Sequence, residues 1–310
     1  MSRPCLLLTN DDGIESDGLH TLIRGLHERG FPIVVVSPAT EQSASGMRLS
    51  LRQDLKFEER QDIAGSLSKP DGPPLRMFSL DGTPCDCVIV AIDGGLSHWV
   101  PEMNPAICIS GINQGPNLSV DVMHSGTVSA AREAGLYGLP SIATSLSTYQ
   151  HSNFEDTSKA TIEVIEAAVE VLPPIAENML RPDGSKTEIH GGDNRERIVS
   201  SFKNGDLMLN INAPETWTNG FQTVSLGVRW YHNAIELAHT STTGVAYGFK
   251  AARIEDEDIP NTDCNAVNSG AVAITPLSCW PANHPLGIPQ GLLEAATKQG
   301  KNGLPFWLTD

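Results

Sequence analysis

Two adjacent carboxylates, Asp11 and Asp12, follow directly on the run Leu6-Leu7-Leu8-Thr9-Asn10 and precede Gly13. Like charges at that spacing are unfavourable unless something positive joins them. A hard divalent cation is the natural partner, since Mg²⁺ and Mn²⁺ take carboxylate, hydroxyl, amide and water oxygens. The plainer reading has Asp11 or Asp12 capping the helix that follows. Three further clusters offer neutral groups. Residues 37–46, Ser-Pro-Ala-Thr-Glu-Gln-Ser-Ala-Ser-Gly, are rich in the small hydroxyls that suit a loop lying close to a ligand, or an ordinary turn. Residues 110–117, Ser-Gly-Ile-Asn-Gln-Gly-Pro-Asn, supply amide oxygens and backbone donors. His124-Ser125-Gly126-Thr127 opens an Ala-rich stretch, where exposed N–H groups and the positive end of the helix dipole would attract an anion. An ordinary Ser or Thr cap would read the same way.

The elements that must position these clusters alternate between strand and helix. Residues 5–9 and 33–37 are compact apolar runs of buried parallel strands. Between them Leu19, Leu22, Ile23 and Leu26 follow the helical spacing, with Asp17 ahead as an N-cap and Gly30 behind as a stop. Strands are also expected at 75–80, 106–110, 141–146, 207–211 and 271–274, and helices at 84–96, 125–137 and around Ile162–Leu172 in the sequence. Such alternation predicts an α/β fold, a doubly wound, mostly parallel, Rossmann-like sheet whose ligands lie beyond the carboxyl ends of the strands. Each polar cluster falls there. The expected organisation is one domain spanning 1–310, with an α/β catalytic core over 1–146. A polar loop insertion is expected over 181–206, and a β-rich hairpin and C-terminal arm over 223–310, closing on a helix at 286–298.

Asp and Glu outnumber Lys and Arg by 37 to 21, a formal charge of −16. So acidic a surface repels polyanions, which argues against nucleic-acid polymers as partners. A small anion remains compatible if a metal ion or backbone N–H groups reverse the field locally. No stretch approaches the roughly 18 apolar residues of a membrane span. The six cysteines, mostly inside apolar runs, read as reduced core thiols in a cytoplasmic setting, and the spacing of Cys85 and Cys87 fits neither a redox pair nor a zinc knuckle. None of the nine His residues forms an HxH or HxxxH pair.

Together these clusters resemble the signature of the SurE family of 5′/3′-nucleotidases, whose members begin with a strand and Asn-Asp-Asp-Gly. Further motifs carry the likeness: Asp81-Gly82-Thr83-Pro84, Asp121-Val122, Leu209-Asn210-Ile211-Asn212-Ala213-Pro214, Thr262-Asp263-Cys264-Asn265 and Ile274-Thr275-Pro276-Leu277. The resemblance implies a phosphatase acting on nucleoside 5′-monophosphates, with the 3′-monophosphates left open, and one divalent cation per subunit, Mg²⁺ or Mn²⁺. Carried over position by position, the cation would be held by Asp11, Asp12, Ser43 and Asn113. Ala44 stands where many relatives have Gly, so Ser45 is a rival for Ser43, and His124 stands where many have Tyr. Asn10 joins Asp11 and Asp12 as catalytic residues, while Gly111, Asn117, Ser125, Gly126 and Thr127 would cradle phosphate as water attacks directly. The resemblance also implies a homodimer or homotetramer built through the irregular second half. Two rivals stand against this reading. A haloacid-dehalogenase-like phosphotransferase needs Asp-x-Asp spacing, which the adjacent acids do not match. An inactive nucleotide-binding or regulatory module of the same fold would not need the intact candidate ligands.

Overall fold

The computed structural model describes residues 3–150, 153–177, 179–181, 192–218, 220–241 and 243–309. Strand β1 (Cys5–Thr9) is buried at every position, and the two-residue period sends its side chains to opposite faces. Leu6 and Leu8 enter one apolar layer and Leu7 the other. The first layer also takes Leu19, Leu22, Ile23 and Leu26 of α1 (Asp17–Glu28), so the helix lies against the sheet on its predicted apolar stripe. Ser16, not Asp17, holds the N-cap position of that helix.

The chain continues through β2 (Ile33–Pro38), β3 (Phe57–Glu59), α2 (Gln61–Leu67) and β4 (Leu75–Leu80). Next come α3 (Pro84–Val90) and α4 (Leu96–Trp99), joined by a kink over Ala91–Gly95, where one continuous helix was expected. Gly94, at φ 104°, breaks the regular spiral there. Then follow β5 (Pro105–Gln114), α5 (Gly126–Leu136), β6 (Ser141–Leu146) and α6 (Glu155–Glu170). Helix α7 (Asn194–Lys203) occupies part of the segment expected to be a loop. Asp193 accepts from the Glu196 N–H at 3.0 Å and Glu196 reaches back to the Asp193 N–H, while Ile198 and Phe202 are buried beneath. Positions 182–191 of that expected insertion lie outside the described residues. The second half adds β7 (Leu207–Ala213), β8 (Phe221–Thr223), β9 (Arg229–His232), β10 (Ile235–Ser241), β11 (Gly244–Phe249) and β12 (Arg253–Asp256). It closes with α8 (Asp263–Asn268), β13 (Val272–Ser278) and α9 (Gln290–Ala296), the last shorter than the helix expected over 286–298.

The main sheet runs β3-β4-β2-β1-β5-β6-β7-β13-β8. The strands from β4 to β7 are parallel, whereas β3 is antiparallel to β4 and β13 to β7. The chain leaves β1 toward β2 and later returns to β5 on its other side, so the order switches between them. Beyond the carboxyl ends of β1 and β5 a crevice must open, as in other open α/β sheets. The expected C-terminal arm is not wholly separate, because β13 sits inside this sheet. Among the described residues, only β9 with β12 and the hairpin β10–β11 form their own two-stranded pairs. All six cysteines are buried free thiols, and burial pushes that of Cys108 up to about 12. No described helix is long and apolar enough to cross a membrane.

Candidate active site

Asp11, at the tip of β1, is 3% exposed, and both its oxygens accept from Thr127: Oδ2 from the N–H at 3.1 Å and Oδ1 from the hydroxyl. The carboxylate therefore fastens the start of α5 and not that of α1. Asp12 Oδ2 accepts from the Gln114 N–H at 3.1 Å, and the Asp11 carbonyl accepts from the Gln42 N–H at 2.7 Å. Three clusters far apart in sequence are thus bonded to the acidic pair. Burial, and next the charge on Asp11, pushes the Asp12 carboxyl up to about 7. Burial also raises Asp11, against the opposing pull of its two Thr127 hydrogen bonds. Two acids held in this way gain from a neighbouring cation.

Neutral oxygens stand around them. Asn113 Nδ2 donates to the Gly115 carbonyl at 2.8 Å, which leaves Oδ1 without a partner among the described residues. Ser43 is exposed, and its hydroxyl donates to Glu41 Oε1 at 2.8 Å. Ser45 Oγ is buried with no hydrogen-bond partner among the described residues. A Cβ placed on Gly126 would lie 2.6 Å from Ser45 Oγ and 2.8 Å from Asp11 Oδ2, so only glycine lets α5 approach this pair. Ser43 lines the cavities on both the Asp11 and the Asp12 side, and Ser45 Oγ faces Asp11 across Gly126. Among the described residues no group of three His, Cys, Asp or Glu side chains could hold a metal. A cation here would have to complete its shell with hydroxyl, amide and water oxygens, which is what a hard ion accepts. The donor set and the orphaned Ser45 hydroxyl fit such an ion.

Asp11, Ser43, Asn113 and Asn117 line a cavity of about 530 Å³ whose wall also carries Tyr149, Tyr231 and Phe249. A second hollow of about 580 Å³ opens on the Asp12 side, lined also by Glu15, Asp17 and Glu41, and shares Ser43, Gln114 and Tyr149 with the first.

The expected catalytic residue Asn10 and the expected phosphate contacts are placed differently. Asn10 is fully buried: Nδ2 donates to the Gly13 carbonyl at 2.9 Å and to Ser16 Oγ at 2.7 Å, and Oδ1 accepts from Ser37. Its amide is spent on shaping the turn after β1. Gly111 lies inside β5, where any Cβ would meet the Thr144 carbonyl at 2.3 Å, so it serves strand packing and does not line the cavity. Asn117 lines the cavity, but its N–H, carbonyl and Nδ2 are tied. Its N–H donates to Asn212 Oδ1 at 2.8 Å, its carbonyl accepts from Asn210 and Asn212, and Nδ2 donates to Ser145. Ser125 caps α5 through the Val128 N–H at 3.0 Å, and its own N–H donates to the Asp121 carbonyl. Of the three expected N–H donors, Ser125 and Thr127 are therefore engaged, and the Gly126 N–H has no partner among the described residues.

The cavity also holds residues that sequence reasoning did not single out. Tyr149 follows the carboxyl end of β6, a location the strand-end rule could have flagged. Tyr231 and Phe249 come from β9 and β11, whose local pattern carries no such signal. The Tyr231 hydroxyl donates to Asp121 Oδ1 at 2.6 Å, and Arg229 Nη1 donates to Asp121 Oδ2 at 3.0 Å. Arg229 also pairs with Asp256, Nε to Oδ1 at 2.7 Å, joining β9 and β12 to the turn before α5.

The family described as Survival protein SurE matches residues 6–233 of this chain. The 5′-nucleotidase SurE of Heliobacterium modesticaldum is 33% identical over 285 residues, covering 91% of this chain and 88% of that protein. The 5′-nucleotidase SurE of Pelotomaculum thermopropionicum is 34% identical over 274 residues, covering 88% of each. Among solved structures, the crystal structure of the SurE protein from Aquifex aeolicus superposes with a TM-score of 0.64 at 27% identity, covering 90% of this chain and 95% of that one.

Proposed function

Because the chain belongs to the SurE family, we propose that it is a phosphomonoesterase that hydrolyses nucleoside 5′-monophosphates, and 3′-monophosphates as well, with one Mg²⁺ or Mn²⁺ per subunit. The observation that carries this reading is the Asp11–Asp12 pair with raised pKa values, beside the unpartnered Asn113 Oδ1 and the orphaned Ser45 hydroxyl. Asp11, Asp12 and Asn113 would hold the cation together with Ser43 or Ser45. When bound, such an ion draws charge from a phosphate oxygen and lowers the pKa of attacking water.

The chain's own residues supply positioning. Thr127 holds Asp11 and the Gln114 N–H holds Asp12, so neither acid needs to reorganise as charge develops. The Gly126 N–H, at the start of α5, is available to a phosphate oxygen. Asn10 and Gly111 act on the turn and the strand, and Asn117 acts as a fixed wall. Tyr149 and Tyr231 give the nucleoside an apolar surface to lie on. A formal charge of −16 favours small nucleotides over polymers.

A second copy of the chain is the partner that suits β10–β11. Ile235, Leu237, Val245, Tyr247 and Phe249 are all exposed on that hairpin, Phe249 at 91%. The reading is a homodimer or homotetramer in the cytoplasm. The enzymatic claim is tested with a panel of nucleoside 5′- and 3′-monophosphates, each with Mg²⁺, with Mn²⁺ and with chelator. Metal-dependent release of phosphate is expected, lost in Asp11→Asn. Undiminished turnover in chelator, or in that variant, would contradict it.

A further inference from the structure

The titratable side chains on the wall of the Asp11 cavity are Asp11, Asp121, His124, Tyr149 and Tyr231. Four of these are unsuited to giving up a proton during turnover. Asp11 accepts twice from Thr127. Asp121 accepts from Arg229 and from Tyr231, whose hydroxyl is thereby committed. Burial raises the pKa of Tyr149 and, together with Asp121, that of Tyr231. His124 differs. Its imidazole makes no hydrogen bond or ion pair among the described residues, yet its backbone is pinned on both sides. The His124 N–H donates to the Asp121 carbonyl at 3.0 Å, and its carbonyl accepts from the Gly46 N–H at 2.9 Å. The ring is thus carried by the junction between the serine loop and the start of α5, one residue before the Ser125 cap. An unengaged imidazole on a fixed backbone, on the wall of the cavity that holds Asp11, has the chemistry of a proton donor.

We propose that His124 is the general acid of the reaction, giving its proton to the sugar oxygen that leaves phosphorus. The inference rests on the phosphomonoesterase reading and deepens it. The oxygen of water forms the new P–O bond as the P–O bond to the sugar breaks. The departing oxygen keeps the electron pair of that bond and takes the imidazolium proton, which yields the nucleoside hydroxyl. The neutral imidazole regains a proton released by the attacking water, so the cycle needs no further reactant.

Leaving-group dependence tests this directly. A nucleoside alkoxide is a far poorer leaving group than 4-nitrophenolate and gains far more from a proton. In His124→Gln the ratio of kcat for AMP to kcat for 4-nitrophenyl phosphate should fall about 10²-fold or more relative to wild type. Imidazole added to His124→Ala should restore AMP turnover selectively. Circular dichroism and thermal melting of both variants confirm that the fold is kept. An unchanged ratio overturns the proposal, whether both rates persist or both fall together, since a merely structural histidine would affect the two esters alike. Wild-type protein that hydrolyses neither ester would instead overturn the phosphomonoesterase reading, and the general acid with it.

Discussion

At the scale of single residues, Asp12 gives the site a pH signature of its own. Its carboxyl titrates at about 7 in the folded, metal-free chain, against about 3.9 for an unfolded Asp. The folded state therefore binds more protons between those values, and stability is lost as pH rises through that window. Asp12→Asn should accordingly stabilise the metal-free protein at pH 8, by on the order of 1–2 kcal/mol after solvent screening, and leave it little changed at pH 4. Thermal unfolding in chelator measures this, and an equal difference at both pH values would refute it. The acidic pair and Asn113 were legible in the sequence because each sits at a strand tip within a short polar cluster. The roles of Asn10 and Gly111 were not, because they depend on Ser37 and Thr144, which other strands bring up from elsewhere in the chain. His124 was visible only as an unusual neighbour of Ser125; its free ring required the surrounding bonds to be known.

At the scale of elements, β7 shows how a strand supports a loop it does not adjoin. Asn210 and Asn212 stand two apart, so both point to the same face and together hold the backbone of Asn117. Asn212→Leu leaves the buried Asn117 N–H without an acceptor and should cost about 1–3 kcal/mol while raising KM for the nucleotide. Urea denaturation and steady-state kinetics read the two effects, and an unaltered KM would remove Asn117 from the cavity wall. Helix α7 offers a contrast. Asp193→Ala should lose about 1 kcal/mol of stability through its cap, with kcat preserved. Its polar composition concealed the helix, although the Asp193–Glu196 spacing and the apolar Ile198 and Phe202 were signals present in the chain. The buried strands β1, β4 and β6 matched their expected bounds because short apolar runs with turn residues at each end admit few alternatives. The break after α3 at Gly94 was not expected, since the apolar pattern runs on through it.

At the scale of the whole molecule, the switch in strand order between β1 and β5 opens the crevice, and the C-terminal strands supply its outer wall. Arg229 is the junction, bonded to Asp121 on one side and Asp256 on the other. Arg229→Met would strand two largely buried carboxylates and should cost about 3–5 kcal/mol, with loss of the Tyr231 wall. Chemical denaturation of this variant near wild-type stability would show that the junction is not needed. The parallel core could be inferred from alternation alone, but the entry of β13 between β7 and β8 could not, because long-range pairing leaves no local trace. The central claim is that the acidic pair exists to hold a divalent cation in a hydrolytic site. Calorimetric titration of Mn²⁺ into the metal-free protein, paired with AMP hydrolysis on the same samples, tests it most directly. One ion per chain, with binding and hydrolysis lost together in Asp11→Asn and Asp12→Asn, is the predicted result; unaltered Mn²⁺ binding in both variants, or AMP hydrolysis by protein that binds no ion, would contradict it.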